Sequence, residues 1–175
     1  MQDYRRKIAY LYAYEGGEKL GNAGFVKAED RGGICRLAVH LRCYSRSGED
    51  PGKVYLYFRH RQQLVGIYLG ALKNRNGALE WQGTFSSDDI RGKGIRFGQT
   101  EGVWIQRPGG KEYVAEWDDY PVDISRFVIY PKGGEKCIRC PWFGKCERSS
   151  VDEADRRGTV YEGSDPAGQK SREAE

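Results

Sequence analysis

The densest chemistry in this chain lies in three cysteines towards its C-terminal end. Cys137, Cys140 and Cys146 fall within ten residues in a C-x2-C-x5-C string, KCIRCPWFGKCE, with a proline directly after the second. Thiolates are soft ligands, and this spacing suits a tetrahedral zinc ion or an iron–sulfur cluster. Lys136, Arg139 and Lys145 surround the sulfurs with positive charge, which favours thiolates. Three ligands leave a fourth to be found. Cys43 is the leading candidate, because it follows directly on a strand pattern. Cys35 alternates with Leu37 and Val39 and reads as a small core hydrophobe. For zinc, His40 or His60 would also serve. The alternative is a set of free thiols.

Tyrosines make the second signal. Tyr10, Tyr12 and Tyr14 recur at period two, as do Tyr55 and Tyr57. A strand puts such residues on one face. Tyr10, Tyr12, Tyr55 and Tyr57 are therefore the candidate binding surface, able to stack on sugar rings or bases. The competing reading is cross-strand aromatic packing within the sheet.

Other polar groups carry less. Asp118 and Asp119 are adjacent carboxylates at the end of a strand pattern, where turn hydrogen bonding is the expected role. Neither His40 nor His60 has a nucleophile at motif spacing, and Gly92-Lys93-Gly94 is too short for a phosphate loop. No catalytic residue is assigned.

The elements that position these groups are strands. In 53–72, KVYLYFRHRQQLVGIYLGAL, Val54, Leu56 and Phe58 alternate with Tyr55, Tyr57 and Arg59, and Val65, Ile67 and Leu69 follow a turn at 60–63. This hairpin needs further strands to cover its apolar face. They are read at 8–14, 22–29, 34–41, 78–85, 102–107 and 112–117, with Gly24 marking a bulge or a close backbone approach. Paired glycines and Asn76-Gly77 supply the turns. A short turn or 3₁₀ segment is expected within 121–128. About eight strands without a long amphipathic helix predict an all-β fold, an antiparallel β-sandwich or partly open barrel. Residues 1–130 form this domain, 131–148 the cysteine segment, and 149–175 a disordered acidic tail.

Composition bounds the partners. The net charge of +4 is mild, short of a nucleic-acid binder's usual excess, so nucleic acid is not an expected partner. Five cysteines without an apolar leader point to reduced thiols and a cytoplasmic location. No apolar run is long enough to span a membrane.

Five segments, NAGF at 22–25, VYLYFR at 54–59, GIYLG at 66–70, EGVWI at 101–105 and EWDDYPVDISRFV at 116–128, together resemble an uncharacterised family of anaerobic, gut-type bacteria, a domain of unknown function. The resemblance covers roughly 4–130 and implies a bacterial cytoplasmic β-rich domain. It supplies no catalytic residue, cofactor or substrate. Separately, the cysteine string is similar to the iron–sulfur staple of some bacterial recombination nucleases, where a distant fourth cysteine completes a [4Fe–4S] cluster. No nuclease core accompanies it here.

The functional expectation is a non-catalytic binding or scaffolding module for a protein or glycan partner. The alternative is a metalloprotein, structural or redox-sensing, built on Cys137, Cys140, Cys146 and Cys43. On the metal reading, anaerobically purified protein carries one zinc ion or one cluster per chain, the cluster absorbing near ~400 nm. Colourless protein without stoichiometric metal sinks it.

Overall fold

A computed structural model describes residues 4–131, and its first compact unit ends at Tyr130. The three ligand candidates Cys137, Cys140 and Cys146 and the expected acidic tail lie outside the described residues. Strands make up 59% of what is described, with no α-helix, so the all-β expectation holds. No helix among these residues is long and apolar enough to cross a membrane.

Ten strands form one curled sheet, a half-barrel. They are β1 (Tyr4–Glu15), β2 (Glu18–Arg31), β3 (Ile34–Leu41), β4 (Lys53–His60), β5 (Gln63–Ala71), β6 (Lys73–Arg75), β7 (Ala78–Ser86), β8 (Gly102–Gln106), β9 (Glu112–Glu116) and β10 (Phe127–Ile129). Their order across the sheet is β10-β5-β4-β8-β9-β1-β2-β3-β7-β6. Of the two expected architectures, the open barrel is the one found. Every junction is antiparallel except β10–β5.

Two strands were not expected. β6 and β10 have three residues each, too few to show a period. β10 follows a 3₁₀ turn at Ile124–Arg126, so the expected 3₁₀ segment is present and leads into a strand. The 53–72 hairpin turns on Arg61-Gln62 alone, because His60 and Gln63 still pair.

Curvature comes from β1 and β2. Their register shifts twice, between Leu11 and Tyr12 and again between Tyr12 and Tyr14, and bulges of this kind bend a strand pair. The far end of β1 is thereby free to pair with β9 through Tyr12–Val114 and Tyr14–Glu112. Gly24 sits beside the first shift, and a Cβ there would overlap the His40 carbonyl oxygen. Both roles expected of this glycine are present.

The inner face holds the main core: Leu11, Val26, Leu37, Val39, Leu56, Ile67, Val103 and Ile105 are all buried. Cys35 is buried in it, as its alternation predicted. The outer face is treated differently in its two halves. Over β4, β8 and β9 a second cluster forms from Tyr14, Tyr55, Tyr57, Leu64, Trp104 and Val114. Val122, Ile124 and Phe127 pack on it. Phe127 stacks on Trp104 at 4.4 Å, Trp104 on Tyr55 at 4.7 Å, and Phe127 meets Tyr57 edge-on at 5.1 Å. Over β1, β2, β3 and β7 no such segment lies among the described residues, and Ile8, Tyr10, Phe25 and Ile34 stay exposed.

The segment after β9 is thus a strap, fastened by aromatic stacking and by Arg59, whose Nη2 donates to the Pro121 carbonyl at 3.2 Å. Truncating a packed aromatic typically costs about 3–5 kcal/mol when fully buried, and Phe127 is half-buried. Phe127→Ala should therefore lower unfolding stability by roughly 2–3 kcal/mol and red-shift the tryptophan emission as Trp104 meets water. An unchanged urea midpoint and spectrum would show that the strap does not depend on this stack.

Candidate functional site

The bare half of the outer face is organised by strand register. Tyr10 pairs with Phe25, Phe25 with His40, His40 with Glu80, and Glu80 with Lys73, so one row of side chains crosses β1, β2, β3, β7 and β6. Tyr10 is 63% exposed and Phe25 42%. The Phe25 and His40 rings stack with centroids 5.2 Å apart. His40 Nδ1 lies 3.0 Å from Glu80 Oε1, and Arg75 Nη1 lies 4.0 Å from Glu80 Oε2. The neighbouring rows are Ile8–Lys27–Ala38–Gln82 and Arg6–Glu29–Arg36–Thr84. Within them Lys27 Nζ bonds Glu29 Oε1 at 2.7 Å.

Of the four tyrosines expected to share a surface, the structure leaves one on the bare face and sends the others to the second cluster. Tyr10 is on the bare face. Tyr12 is partly buried, packs against the second cluster and has Lys19 Nζ over its ring at 4.2 Å. Tyr55 and Tyr57, at 2% and 1% exposure, are not surface residues at all. The strap covers them, and nothing in strand periodicity reveals a segment some 70 residues later that returns to the same face. Phe25 was the missed member of the row. It lies directly opposite Tyr10 and becomes visible once β1 and β2 are registered.

Two open clefts flank this surface. One, of about 550 Å³, lies at the β6–β7 end and is lined by Lys73, Arg75, Glu80, Trp81 and Gln82 among others. It continues the row, since Lys73 and Glu80 belong to both. Trp81 lies against Gly70 and Gly83, and a Cβ on Gly83 would come within 2.6 Å of the indole. The missing side chains let the ring lie close to the backbone. The second cleft, of about 410 Å³, is lined by Tyr14, Lys19, Glu116, Asp119 and Tyr120 among others, so it gathers acidic groups where the first gathers basic ones. Tyr14 donates to Glu116 Oε1 at 3.5 Å, and its phenol is pushed up to about 12 by burial first and by Glu116 second. Asp118 and Asp119 follow the end of β9 as the sequence suggested.

The described cysteines differ sharply. Cys35 is fully buried, and burial pushes its thiol up to about 12. Cys43 is partly exposed. Its sulfur accepts from Arg107 Nη1 at 3.0 Å and from the Tyr113 hydroxyl at 3.8 Å. Arg107 is itself buried and anchored by Nε to the Pro51 carbonyl at 3.1 Å. Among the described residues no group of three His, Cys, Asp or Glu side chains forms a metal site. His40 is already engaged by Glu80.

These features define a class: an all-β domain with one bare, ring-bearing sheet face. Comparison with known families, curated proteins and solved structures yields no match.

Because Cys43 is partly exposed and Cys35 is sealed in the core, native protein treated with a disulfide reagent should label Cys43 readily and Cys35 only on unfolding. Peptide-resolved mass spectrometry reads both sites. Rapid labelling of Cys35 in the native state would contradict its place in the core.

Proposed function

We propose that the domain is a non-catalytic binding module whose ligand docks on the bare half of the outer face. The observation that carries this reading is the contrast within one sheet. Where β4, β8 and β9 present aromatics outward, the chain spends a strap on covering them. Where β1, β2 and β3 do so, Tyr10, Phe25 and Ile8 meet solvent together. Contiguous exposed apolar groups rimmed by polar ones mark interaction sites. His40 is held in the row by its stack on Phe25 and by Glu80, which faces its Nδ1.

A second reading, the metalloprotein, is favoured by one observation. Of the two described cysteines offered as a fourth ligand, Cys43 is partly exposed, while Cys35 is sealed in the core. If Cys43 completes the site, Cys43→Ser lowers metal content as much as Cys140→Ser does.

The binding reading is tested on ¹⁵N-labelled protein titrated with a neutral oligosaccharide, an oligoglutamate peptide and a short oligonucleotide. At least one should give saturable shifts confined to β1, β2, β3, β6 and β7. The Tyr10→Ala/Phe25→Ala variant should bind that probe at least tenfold more weakly while keeping its fold, since both side chains are exposed. Shifts centred elsewhere, no saturable shift with any of the three, or unchanged affinity in the variant would each refute it.

A further inference from the structure

Resting on that reading, we infer that the ligand of the bare face is a single-stranded nucleic acid. Two features of the face have to be met by one partner. The first is the ring row. Neighbouring strands lie about 4.8 Å apart, so Tyr10, Phe25 and His40 form a strip about 10 Å long across three strands, in which Phe25 and His40 stack on each other and Tyr10 is the most exposed ring, open to a base. Such stacking is tolerant of sequence, because every base has a flat face.

The second feature is charge placement. Arg6, Lys27 and Arg36 lie on one side of the strip, in the two neighbouring rows. Arg42 lies two residues beyond His40 on the other side, its Nη2 donating to Asn22 Oδ1 at 2.6 Å. Lys73 and Arg75 stand at its end. The acidic residues of the row and its neighbours are already answered: Glu29 by Lys27 and Arg6, Glu80 by His40 and Arg75. Glu116 and Asp119 line the other cleft. A mild net charge therefore conceals a local cationic excess around the rings, and phosphates beside stacked bases match it.

Other occupants match one feature and not the other. A neutral glycan uses the rings but does not match the local cationic excess. An acidic peptide uses the cations but not a strip of flat rings. Duplex nucleic acid keeps its bases stacked inside, and reading it in a groove needs a protruding helix or ribbon rather than a sheet face. The cleft that Lys73, Arg75 and Glu80 line continues the charged part of this face at the end of the strip, within the usual size range of small-ligand sites.

The test is fluorescence anisotropy on the full chain with fluorescein-labelled U15, dT15 and a 15-base-pair duplex, with dextran sulfate as competitor. Saturable binding of at least one single strand is expected, at least tenfold tighter than of the duplex. Tyr10→Ala/Phe25→Ala should weaken it at least tenfold, and Tyr10→Phe/Phe25→Tyr should restore it. Arg36→Ala/Lys73→Ala should weaken it and flatten its dependence on salt. Lys111→Ala, in the loop between β8 and β9, should change nothing. Failure of both single strands to bind, or equal binding of the duplex with no effect of the ring variant, would overturn the inference. Should the oligosaccharide or oligoglutamate shift this face while both single strands do not bind, the nucleic-acid inference alone falls. Oligonucleotide binding that survives the ring and cation variants would instead remove the docking face itself.

Discussion

One backbone junction holds the two halves of this sheet together. β1 pairs with β2 along most of its length and reaches β9 only through its last residues. On one side of that junction lies the β1–β2–β3–β7–β6 half, on the other the β9–β8–β4–β5–β10 half. The bulges that shift the β1–β2 register make the double pairing feasible, because a strand that stayed in flat register with β2 would point its end away from β9. Gly24 enters here as well, since the close approach of β3 at the first bulge leaves no room for a side chain. The inner core follows from this curvature, which brings Leu11, Leu37, Leu56 and Ile67 to face one another.

The outer face is where the two halves part company. A sheet curled into a half-barrel protects its concave side by its own shape, while the convex side depends on whatever the chain brings to it. Here the strap buries Tyr55, Tyr57 and Trp104 and finishes as β10. The opposite half keeps its rings and its cations in water. That division, more than any single side chain, separates structural aromatics from candidate functional ones. The edge strand β6 fits the same economy, since Lys73 and Arg75 on a three-residue strand discourage pairing with another chain.

Much of this was legible in the sequence, and the misses have physical reasons. Alternation located the long strands and put Cys35 in the core and His40 on the far face, because a half-buried strand writes its faces at period two. The same alternation named Tyr55 and Tyr57 as surface, because periodicity separates faces without saying what covers them. The covering residue, Phe127, belongs to a strand of three residues, below the length at which a period exists. Phe25 was overlooked for a related reason: its importance lies across the strand, in Tyr10 and His40, and registers only after pairing. For Cys43 the pattern showed a residue just past a strand end, but the donors at its sulfur come from Arg107 and Tyr113, more than 60 residues away.

The parallel pairing of β10 with Leu64–Gly66 has a consequence for how the chain is made. Synthesis runs from the N-terminus, and domains fold as units once their last element is available. Tyr55 and Tyr57 leave the ribosome long before Phe127, so the nascent domain carries an aromatic patch with no cover while some 70 residues are added. During that interval the uncovered aromatics are the surface most open to non-native association.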